Sequence, residues 1–367
     1  MKRTRWLLTN ILALAAWLTP GASVHGQAAP PSAPAGRDAV PAETIAQFTV
    51  PHRRVVIGDG RTINLHCMGT GRHTIMFDAG GSDWSVVWAL VQPRVAGRAR
   101  ACSYDRAGLG YSDPAPGARS PAAIVEDLHA LIAAAGLDRP LVLVGHSLGG
   151  FNVKLHAALY PDDVAGLVLV DPSEERSAER VRAPLVKRYG APLAARIELA
   201  DNDGLRALLT RYEGCAAAAK SGDLDPGSIT YRHCSDPVRA QLGPAVAAER
   251  ARLQVRPAYQ EAQASEILNS IYGRSDGDAL YRDLFRPGML GSKPLVVLTH
   301  GRHDASDPID AAGFESWLWL HRETAALSRI GSQRVVPDTN HNIQIEDPQA
   351  IVTAVFEILD RLDRQQR

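Results

Sequence analysis

A strand-like apolar run meets a helix at a corner made of glycine and serine. Residues 141–151 read LVLVGHSLGGF, and helical spacing continues beyond them. A tight turn leaves no room for side chains two positions before and after the serine, which accounts for glycine at Gly145 and Gly149. The corner therefore predicts a strand, a sharp turn that presents Ser147, and a helix.

The same alternation of strands and helices recurs along the chain. Strand-like or helical segments lie at 98–108, 121–137, 166–173, 293–304, 333–341 and 348–362. Strand, helix, strand units predict a mainly parallel sheet with helices on both faces. Between 174 and 291 the alternation stops, and helical patterns occur without a strong buried strand. We interpret that stretch as a cap inserted between two strands of one sheet.

The N-terminus has the pattern of a secretory signal peptide. Positive charges precede the apolar run WLLTNILALAAWL, which ends at Pro20. This predicts a signal peptide over 1–26, cleaved near 22–29, and a secreted or periplasmic protein with no stable membrane anchor. An uncleaved anchor is the alternative. A Pro- and Ala-rich leader is predicted over 27–45. The core is then predicted over 46–173 and 292–367.

Charge argues against a nucleic-acid partner. Lysine plus arginine and aspartate plus glutamate both number 40, so there is no net basic field. The chain has neither a zinc-binding spacing nor a phosphate-cradling loop, so no metal or organic cofactor is implied. We therefore expect a small-molecule substrate, while the oligomeric state stays open.

Export would permit the four cysteines to form disulfides. Cys215 and Cys234 flank a polar, glycine-containing segment, and a bridge there would hold an otherwise weakly fixed loop. That pair is favoured. Cys67 and Cys102 lie in strand-like stretches, where a bond and a small buried free cysteine are equally reasonable interpretations.

A serine hydroxyl is a weak nucleophile and needs a base with a group that orients it. His341 follows the strand-like run at 333–336 and precedes the last helix, which makes it the candidate base. The orienting carboxylate is expected at the carboxyl end of an earlier strand. Asp304 is favoured, Asp171 is the alternative acid, and Asp307 ranks behind them. The chain order Ser, Asp, His holds for all three and does not decide.

Backbone amides are the candidate donors to an oxyanion. The N–H of Leu148 lies at the start of the helix after the serine, and Gly80-Gly81 lets the backbone approach a ligand closely. We expect the second donor to be Gly81, although the two glycines could simply make a turn. Trp84 is a candidate wall of the substrate pocket.

With these motifs the sequence resembles the α/β-hydrolase superfamily, in the branch of serine esterases and proline iminopeptidases with a helical cap. The matching pieces are FDAGGS, YDRAGLGYSD, VGHSLGG, LTHGRHD and NHNIQIEDP, and the resemblance runs from Arg53 to the C-terminus except for the insertion. It implies an α/β-hydrolase fold, with a mainly parallel eight-stranded sheet flanked by helices and a mostly helical cap after the sixth strand. Asp105 and Arg106 would brace loops near the site.

The resemblance also assigns roles by position. It implies the nucleophile Ser147, the base His341, the acid Asp304, and the oxyanion donors Gly81 and Leu148. The implied sheet order makes the strands of the first two cysteines neighbours, which favours a bond between them.

One departure from the family pattern concerns the oxyanion loop. Many members have His-Gly where this chain has Ala79-Gly80. The backbone donor survives that change, but a side-chain contribution from the histidine is absent.

These features predict a secreted serine hydrolase that cleaves a carboxylic ester of a small or medium-sized substrate through an acyl-enzyme. The alternatives are an aminopeptidase of the proline iminopeptidase type, a lactonase, a carbon–carbon bond hydrolase, or a non-catalytic binding module. An aminopeptidase would need acidic cap residues to hold a free amine, for which Glu174, Glu175 and Asp201 are available.

Overall fold

The computed structural model describes residues 39–270, 281 and 283–365. The predicted signal peptide lies outside these ranges, as does most of the predicted leader. The described end of the leader contains helix α1, Ala42–Ala46, and its Ile45 is buried in the core. Ordered packing therefore starts slightly before the predicted boundary, because one apolar side chain reaches the core.

Eight strands form one sheet. They are β1 Arg53–Val56, β2 Thr62–Met68, β3 Thr74–Asp78, β4 Arg100–Tyr104, β5 Leu141–His146, β6 Val164–Val170, β7 Leu295–His300 and β8 Ser332–Val336. Their spatial order is β1-β2-β4-β3-β5-β6-β7-β8. The pairs β1/β2 and β2/β4 are antiparallel and all others are parallel. The predicted eight-stranded, mainly parallel sheet is confirmed.

Helices cover both faces of this sheet. Those of the sheet-forming part are α2 Gln92–Val95, α3 Pro121–Ala135, α4 Leu148–Leu159, α10 Pro308–Ala325, α11 Ile343–Glu346 and α12 Pro348–Gln365. Along β5, Val142 and Val144 join the apolar cluster under α12, while Leu141 and Leu143 join the cluster under α3 and α4. A strand buried on both faces has no polar side, which is why β5 reads as a continuous apolar run.

The described residues between β6 and β7 form helices. They are α5 Ser177–Tyr189, α6 Ala191–Ser221, α7 Ile229–Cys234, α8 Gly243–Gln254 and α9 Pro257–Leu268. We call α5 to α9 the inserted helices. Within the described residues, no helix combines the length and the apolar character needed to cross a bilayer.

Both cysteine pairs are disulfides in the structure. Cys215 and Cys234 join α6 to α7, as the polar segment between them predicted. Cys67 and Cys102 lie opposite each other on β2 and β4 and are also bonded. The second bond settles a question that the residues alone left open, because only the sheet order places these two strands side by side.

Candidate active site

Ser147 occupies the turn between β5 and α4 in a backbone conformation that is rare for a residue with a side chain. Its φ is 52° and its ψ is −121°. A Cβ at Gly145 would collide with the backbone of Gly149, and one at Gly149 would collide with the backbone of Ala79. Glycine is therefore required at both positions, and strain of this kind clusters at functional sites.

His341, in the loop between β8 and α11, is paired with Asp171. His341 Nδ1 lies 2.6 Å from Asp171 Oδ2. Asp171 directly follows the last residue of β6 and is fully buried. The structure thus brings together the candidate base and the alternative acid.

Asp304, the favoured acid, lies elsewhere. It is exposed, and its Oδ1 accepts hydrogen bonds from the backbone N–H and the Oγ of Ser306 at 2.9 and 2.6 Å. Asp307 caps α10 and accepts from the N–H of Ile309. The expectation that Asp304 orients His341 is therefore corrected. The loop of Asp304 turns away to begin α10, whereas Asp171 directly follows β6 at the carboxyl end of the parallel strands.

Asp171 accepts more hydrogen bonds than the pair with His341 requires. Its Oδ1 accepts from the backbone N–H of His300 at 3.0 Å and from Trp317 Nε1 at 2.9 Å. The Nδ1 of His300 lies 2.8 Å from Oδ2. Burial alone would raise the pKa of Asp171. The charge and hydrogen bond of His300, together with the hydrogen bond of His341, outweigh burial and hold that pKa well below its usual value.

His300 and Trp317 are partners that sequence reasoning missed. His300 lies in the segment LTHGRHD, in which only Asp304 was a candidate for the site. Trp317 lies in a helix whose pattern indicates only a buried face. Burial is the largest single effect and disfavours the charged His300 ring, but the charge and hydrogen bond of Asp171, with smaller contributions from Asp310 and Glu346, together outweigh it and raise the pKa of His300. A second histidine therefore shares the acid of the candidate site.

His146 holds the loop of the candidate base. Its Nε2 lies 2.9 Å from the carbonyl oxygen of His341, and Gln344 Nε2 lies 3.3 Å from its Nδ1. The amide of Gln344 donates to Nδ1, so the His146 tautomer is the one with a proton on Nε2, which donates to the carbonyl. Burial lowers the pKa of His146 to about 3, which keeps this ring neutral.

The hydroxyl of Ser147 is enclosed. Its side chain belongs to a residue that is only 2% exposed, and its Oγ lies 3.4 Å from Ser173 Oγ. Within the described residues, no hydrogen bond joins Ser147 to His341. Catalytic hydrogen bonds are often long in unliganded enzymes and shorten when substrate binds.

The candidate oxyanion donors lie beside Ser147. Leu148 is the first residue of α4, so its N–H has no acceptor within the helix. A Cβ at Gly80 would lie 3.4 Å from the Cβ of Ser147, which places the peptide between Gly80 and Gly81 at the same turn. Both predicted amides therefore belong to segments that meet at the serine.

Arg106 fixes the orientation of that peptide. Its guanidinium donates to the carbonyl oxygen of Gly80 at 2.7 Å and to that of Ala79 at 2.6 Å. A peptide unit is planar and trans, so the N–H of Gly81 points opposite to the Gly80 carbonyl. The direction of the candidate donor is thus set by a buried arginine behind it.

Carboxylates on both sides hold Arg106 in place. Asp78, at the end of β3, accepts from its Nη1 at 2.8 Å. Glu266, on α9, accepts from its Nε at 2.6 Å and from its Nη2 at 2.8 Å. All three side chains are buried. One inserted helix is therefore tied through Arg106 to the oxyanion loop.

Comparison with known proteins identifies the family. The sequence profile of the alpha/beta hydrolase fold family matches residues 70–348, which is more than half of the chain. The chain belongs to the alpha/beta hydrolase fold family. The curated relatives match shorter parts of the chain.

Three similar proteins illustrate the likeness of this alpha/beta hydrolase. It is 32% identical over 108 residues to the uncharacterized protein YqjL of Bacillus subtilis, covering 29% of this chain and 43% of that protein. It is 48% identical over 55 residues to the lipase LipV of Mycobacterium tuberculosis, covering 15% of this chain and 21% of that protein. The chain thus spans less than half of the length of these curated relatives. A thermophilic esterase from Thermogutta terrifontis superimposes with a TM-score of 0.52 at 22% identity, covering 85% of this chain and 99% of that one, which shows the shared fold.

Trp84 of this alpha/beta hydrolase packs into the core rather than lining an open pocket. It is fully buried, the Arg250 guanidinium lies 4.8 Å from its ring centroid, and the ring of Tyr259 meets it edge-on at 5.8 Å. Both neighbours come from the inserted helices. The expectation of a substrate contact at Trp84 is therefore replaced by a packing role between the sheet and these helices.

Proposed function

We propose that this protein is a serine hydrolase that cleaves a carboxylic ester of a small or medium-sized substrate through an acyl-enzyme. The observation that carries the proposal is the pair of the buried Asp171 and the partly buried His341, 2.6 Å apart, beside a serine on a strained turn. The esterase and the lipase among the similar proteins support the same reaction class. In this proposal Asp171 takes the role that the sequence pattern gave to Asp304.

The pairing sets the chemistry of the base. Asp171 accepts a hydrogen bond from the N–H at Nδ1 of His341, which leaves Nε2 with a lone pair. His341 removes the proton from Ser147 as its Oγ attacks the ester carbonyl. Asp171 then stabilises the imidazolium, and the extra donors on that carboxylate hold it in one orientation.

The negative charge on the carbonyl oxygen is held by backbone amides. We assign the N–H groups of Leu148 and Gly81 to this role, with the helix N-terminus adding a favourable dipole. His341 next protonates the leaving alcohol, and the ester bond breaks to give an acyl-enzyme on Ser147. Water, deprotonated by the same histidine, then attacks the acyl group, and His341 returns the proton to Ser147 Oγ as the acid is released.

The acidic residues near the insertion do not favour an aminopeptidase. Glu174 and Glu175 accept from Lys154 Nζ at 2.9 and 2.6 Å, and both also pair with Arg180. Burial raises the pKa of Asp201 to about 7, so this carboxyl carries only part of its charge at neutral pH. A site for a free amine needs an unpaired anion, which Glu174 and Glu175 do not provide.

We also propose that the protein is secreted or periplasmic. Two disulfides within the described residues are compatible with an oxidising compartment. The charged and apolar N-terminal pattern that predicts export lies outside the described residues.

The test uses a fluorophosphonate probe and a series of p-nitrophenyl esters of increasing acyl length. Wild-type protein should label and turn over ester, and Ser147→Ala should do neither. Ser173→Ala is the matched control, because Ser173 Oγ lies 3.4 Å from Ser147 Oγ and could be labelled in its place. This variant should still label. A wild-type protein that neither labels nor hydrolyses, or labelling that persists in Ser147→Ala, would contradict the proposal.

A further inference from the structure

His156, in the last turn of α4, is buried without a hydrogen-bond partner. It is 0% exposed, and neither Nδ1 nor Nε2 has a partner among the described residues. Buried polar groups are normally paired, and each exception needs an explanation. An imidazole with two unused nitrogens is a group that a ligand could satisfy.

Two more ligand-type atoms face this ring. His129 lies on α3, and Asp163 lies in the 3₁₀ turn that precedes β6. Nδ1 of His129 and Oδ2 of Asp163 are 3.1 Å apart, but neither atom is in hydrogen-bonding geometry with a described residue. One ligand atom from each of His129, His156 and Asp163 lies within 4.8 Å of the others. Two helices and the turn that follows the second of them thus bring together three groups without a described hydrogen-bond partner.

We propose that His129, His156 and Asp163 bind a divalent transition-metal ion, with zinc the best fit. Two imidazoles and one carboxylate form a donor set that zinc accepts, at metal–ligand distances of about 2.0–2.2 Å. Ligand atoms around such an ion lie roughly 3.4 Å apart, so separations of up to 4.8 Å must shrink by at most about 1.4 Å, which side-chain rotation can supply. His129 is partly exposed, so water can reach the fourth position.

Neighbouring side chains already orient two of the ligands. The ring of Tyr160 stacks on His129 at 3.8 Å with an interplanar angle of 7°. Arg139 donates to the other oxygen of Asp163, Oδ1, at 3.0 Å and leaves Oδ2 directed to the site. In known metal sites, contacts from neighbouring side chains to the ligand residues fix the orientation of the ligands. The positive charge of Arg139 opposes a cation, but its side chain is largely exposed and therefore screened.

The site lies far from the proposed chemistry. His156 is separated from Ser147 by the length of α4, roughly 13 Å at about 1.5 Å per residue. A metal ion there would join α3, α4 and the turn before β6. We therefore assign it a structural role, in which zinc raises stability and leaves ester turnover unchanged.

The test measures zinc binding by calorimetry on chelator-treated mature protein without a polyhistidine tag. Wild-type protein should bind one zinc ion and show a melting temperature about 5 °C higher at 100-fold excess over the dissociation constant. His156→Phe should abolish both effects, and Asp163→Asn should weaken binding at least 10-fold. His73→Gln is the matched control, because His73 lies outside this cluster and pairs with Asp363 at 2.9 Å. The His73→Gln protein should bind zinc as the wild type does.

Folding of the variants is checked independently of zinc. His156→Phe replaces an unsatisfied imidazole by an apolar ring, so its metal-free melting temperature should equal or exceed that of the metal-free wild type. Saturable binding that persists in His156→Phe, or a wild type that binds no zinc, would overturn the proposal. Equal binding losses in His73→Gln would also overturn it, because they would indicate adsorption to surface histidines.

Discussion

At the scale of single residues, the choice between two aspartates is the sharpest feature of the candidate site. Asp171 is buried against His341, His300 and Trp317, whereas Asp304 is exposed and holds only its own turn. A carboxylate in the first position can fix an imidazole tautomer. One in the second position stabilises a loop.

We predict opposite outcomes for the two matching substitutions. Asp171→Asn should lower kcat for an ester by about 10⁴-fold, because an amide cannot hold the required tautomer and charge of His341. Asp304→Asn should stay within about twofold of wild type, since it removes one exposed acceptor. Steady-state kinetics on both purified variants checks this, with circular dichroism showing that Asp171→Asn is folded. Equal losses in the two variants would remove Asp171 from the mechanism.

How far the sequence could predict the site differs from residue to residue. Ser147 was predictable because its signal is local: glycine two positions away on each side, a strand before and a helix after. The partner of His341 was not, because Asp171 and Asp304 both follow strands and both satisfy the chain order. Only the path of the loop after β7 separates them: it leads into α10, whose Trp317 bonds to Asp171 while Asp304 stays exposed, and a contact between such distant parts of the chain leaves no local pattern.

At the scale of elements, α9 and the loop after β3 share one buried arginine. Glu266 on α9 holds the Nε and Nη2 of Arg106, and Arg106 holds the carbonyl of Gly80. The helix therefore affects a backbone amide that it does not touch.

We predict that Glu266→Gln lowers kcat more than it changes KM. Loss of one carboxylate loosens Arg106 and therefore the direction of the Gly81 N–H. The loss of transition-state stabilisation can reach the full contribution of one oxyanion donor, about 2.7–4 kcal/mol. The free energy of unfolding should also fall, by about 3 kcal/mol, since Arg106 loses a buried partner. Kinetics and urea unfolding measure the two effects.

Glu261→Gln on the same helix serves as the control. Glu261 pairs with Lys220 at 2.9 Å at the surface, where both side chains are largely exposed. Its replacement should change stability by less than about 1 kcal/mol and leave kcat intact. A Glu266→Gln variant with normal kcat would show that the pair of Glu266 and Arg106 does not position the oxyanion loop.

The elements themselves were easier to predict than their contacts. Helical spacing alone indicated the inserted helices, and the polar segment between Cys215 and Cys234 indicated their disulfide. Sequence could not indicate that Glu266 and Arg250 face inward, because charges in a helical pattern normally lie on the solvated face. The burial of these residues depends on partners about 160 positions away.

At the scale of the whole molecule, buried histidines make stability depend on pH. His66 on β2 is buried against His52, whose ring stacks on it at 3.5 Å. Burial, with a smaller contribution from the charge of His52, lowers the pKa of His66 to about 3. Between pH 6.5 and about 4 the unfolded chain therefore binds a proton at this residue that the folded chain does not. This histidine destabilises the fold as pH falls through that range.

We predict that His66→Gln removes this dependence. The stability of the wild type relative to the variant should fall by about 2 kcal/mol between pH 6.5 and pH 5, at about 1.4 kcal/mol per pH unit. Urea unfolding across that range provides the measurement. His303→Gln, which changes an exposed histidine, should run parallel to the wild type. A constant difference between wild type and His66→Gln would show that the His66 ring binds protons equally in the folded and the unfolded chain, so that its pKa is not lowered by folding.

The bond from Glu266 to Arg106 also limits how freely the insertion could be exchanged between relatives. A graft that brought new helices without a matching acid would leave a buried guanidinium half paired, and a sheet that received these helices without the arginine would bury a lone carboxylate. Glu266 and Arg106 must therefore be substituted together. A chimera should be active only when it contains both residues. The insertion therefore cannot be treated as an independent module in evolution or in engineering, because Glu266 in the inserted helices and Arg106 in the sheet-forming part depend on each other.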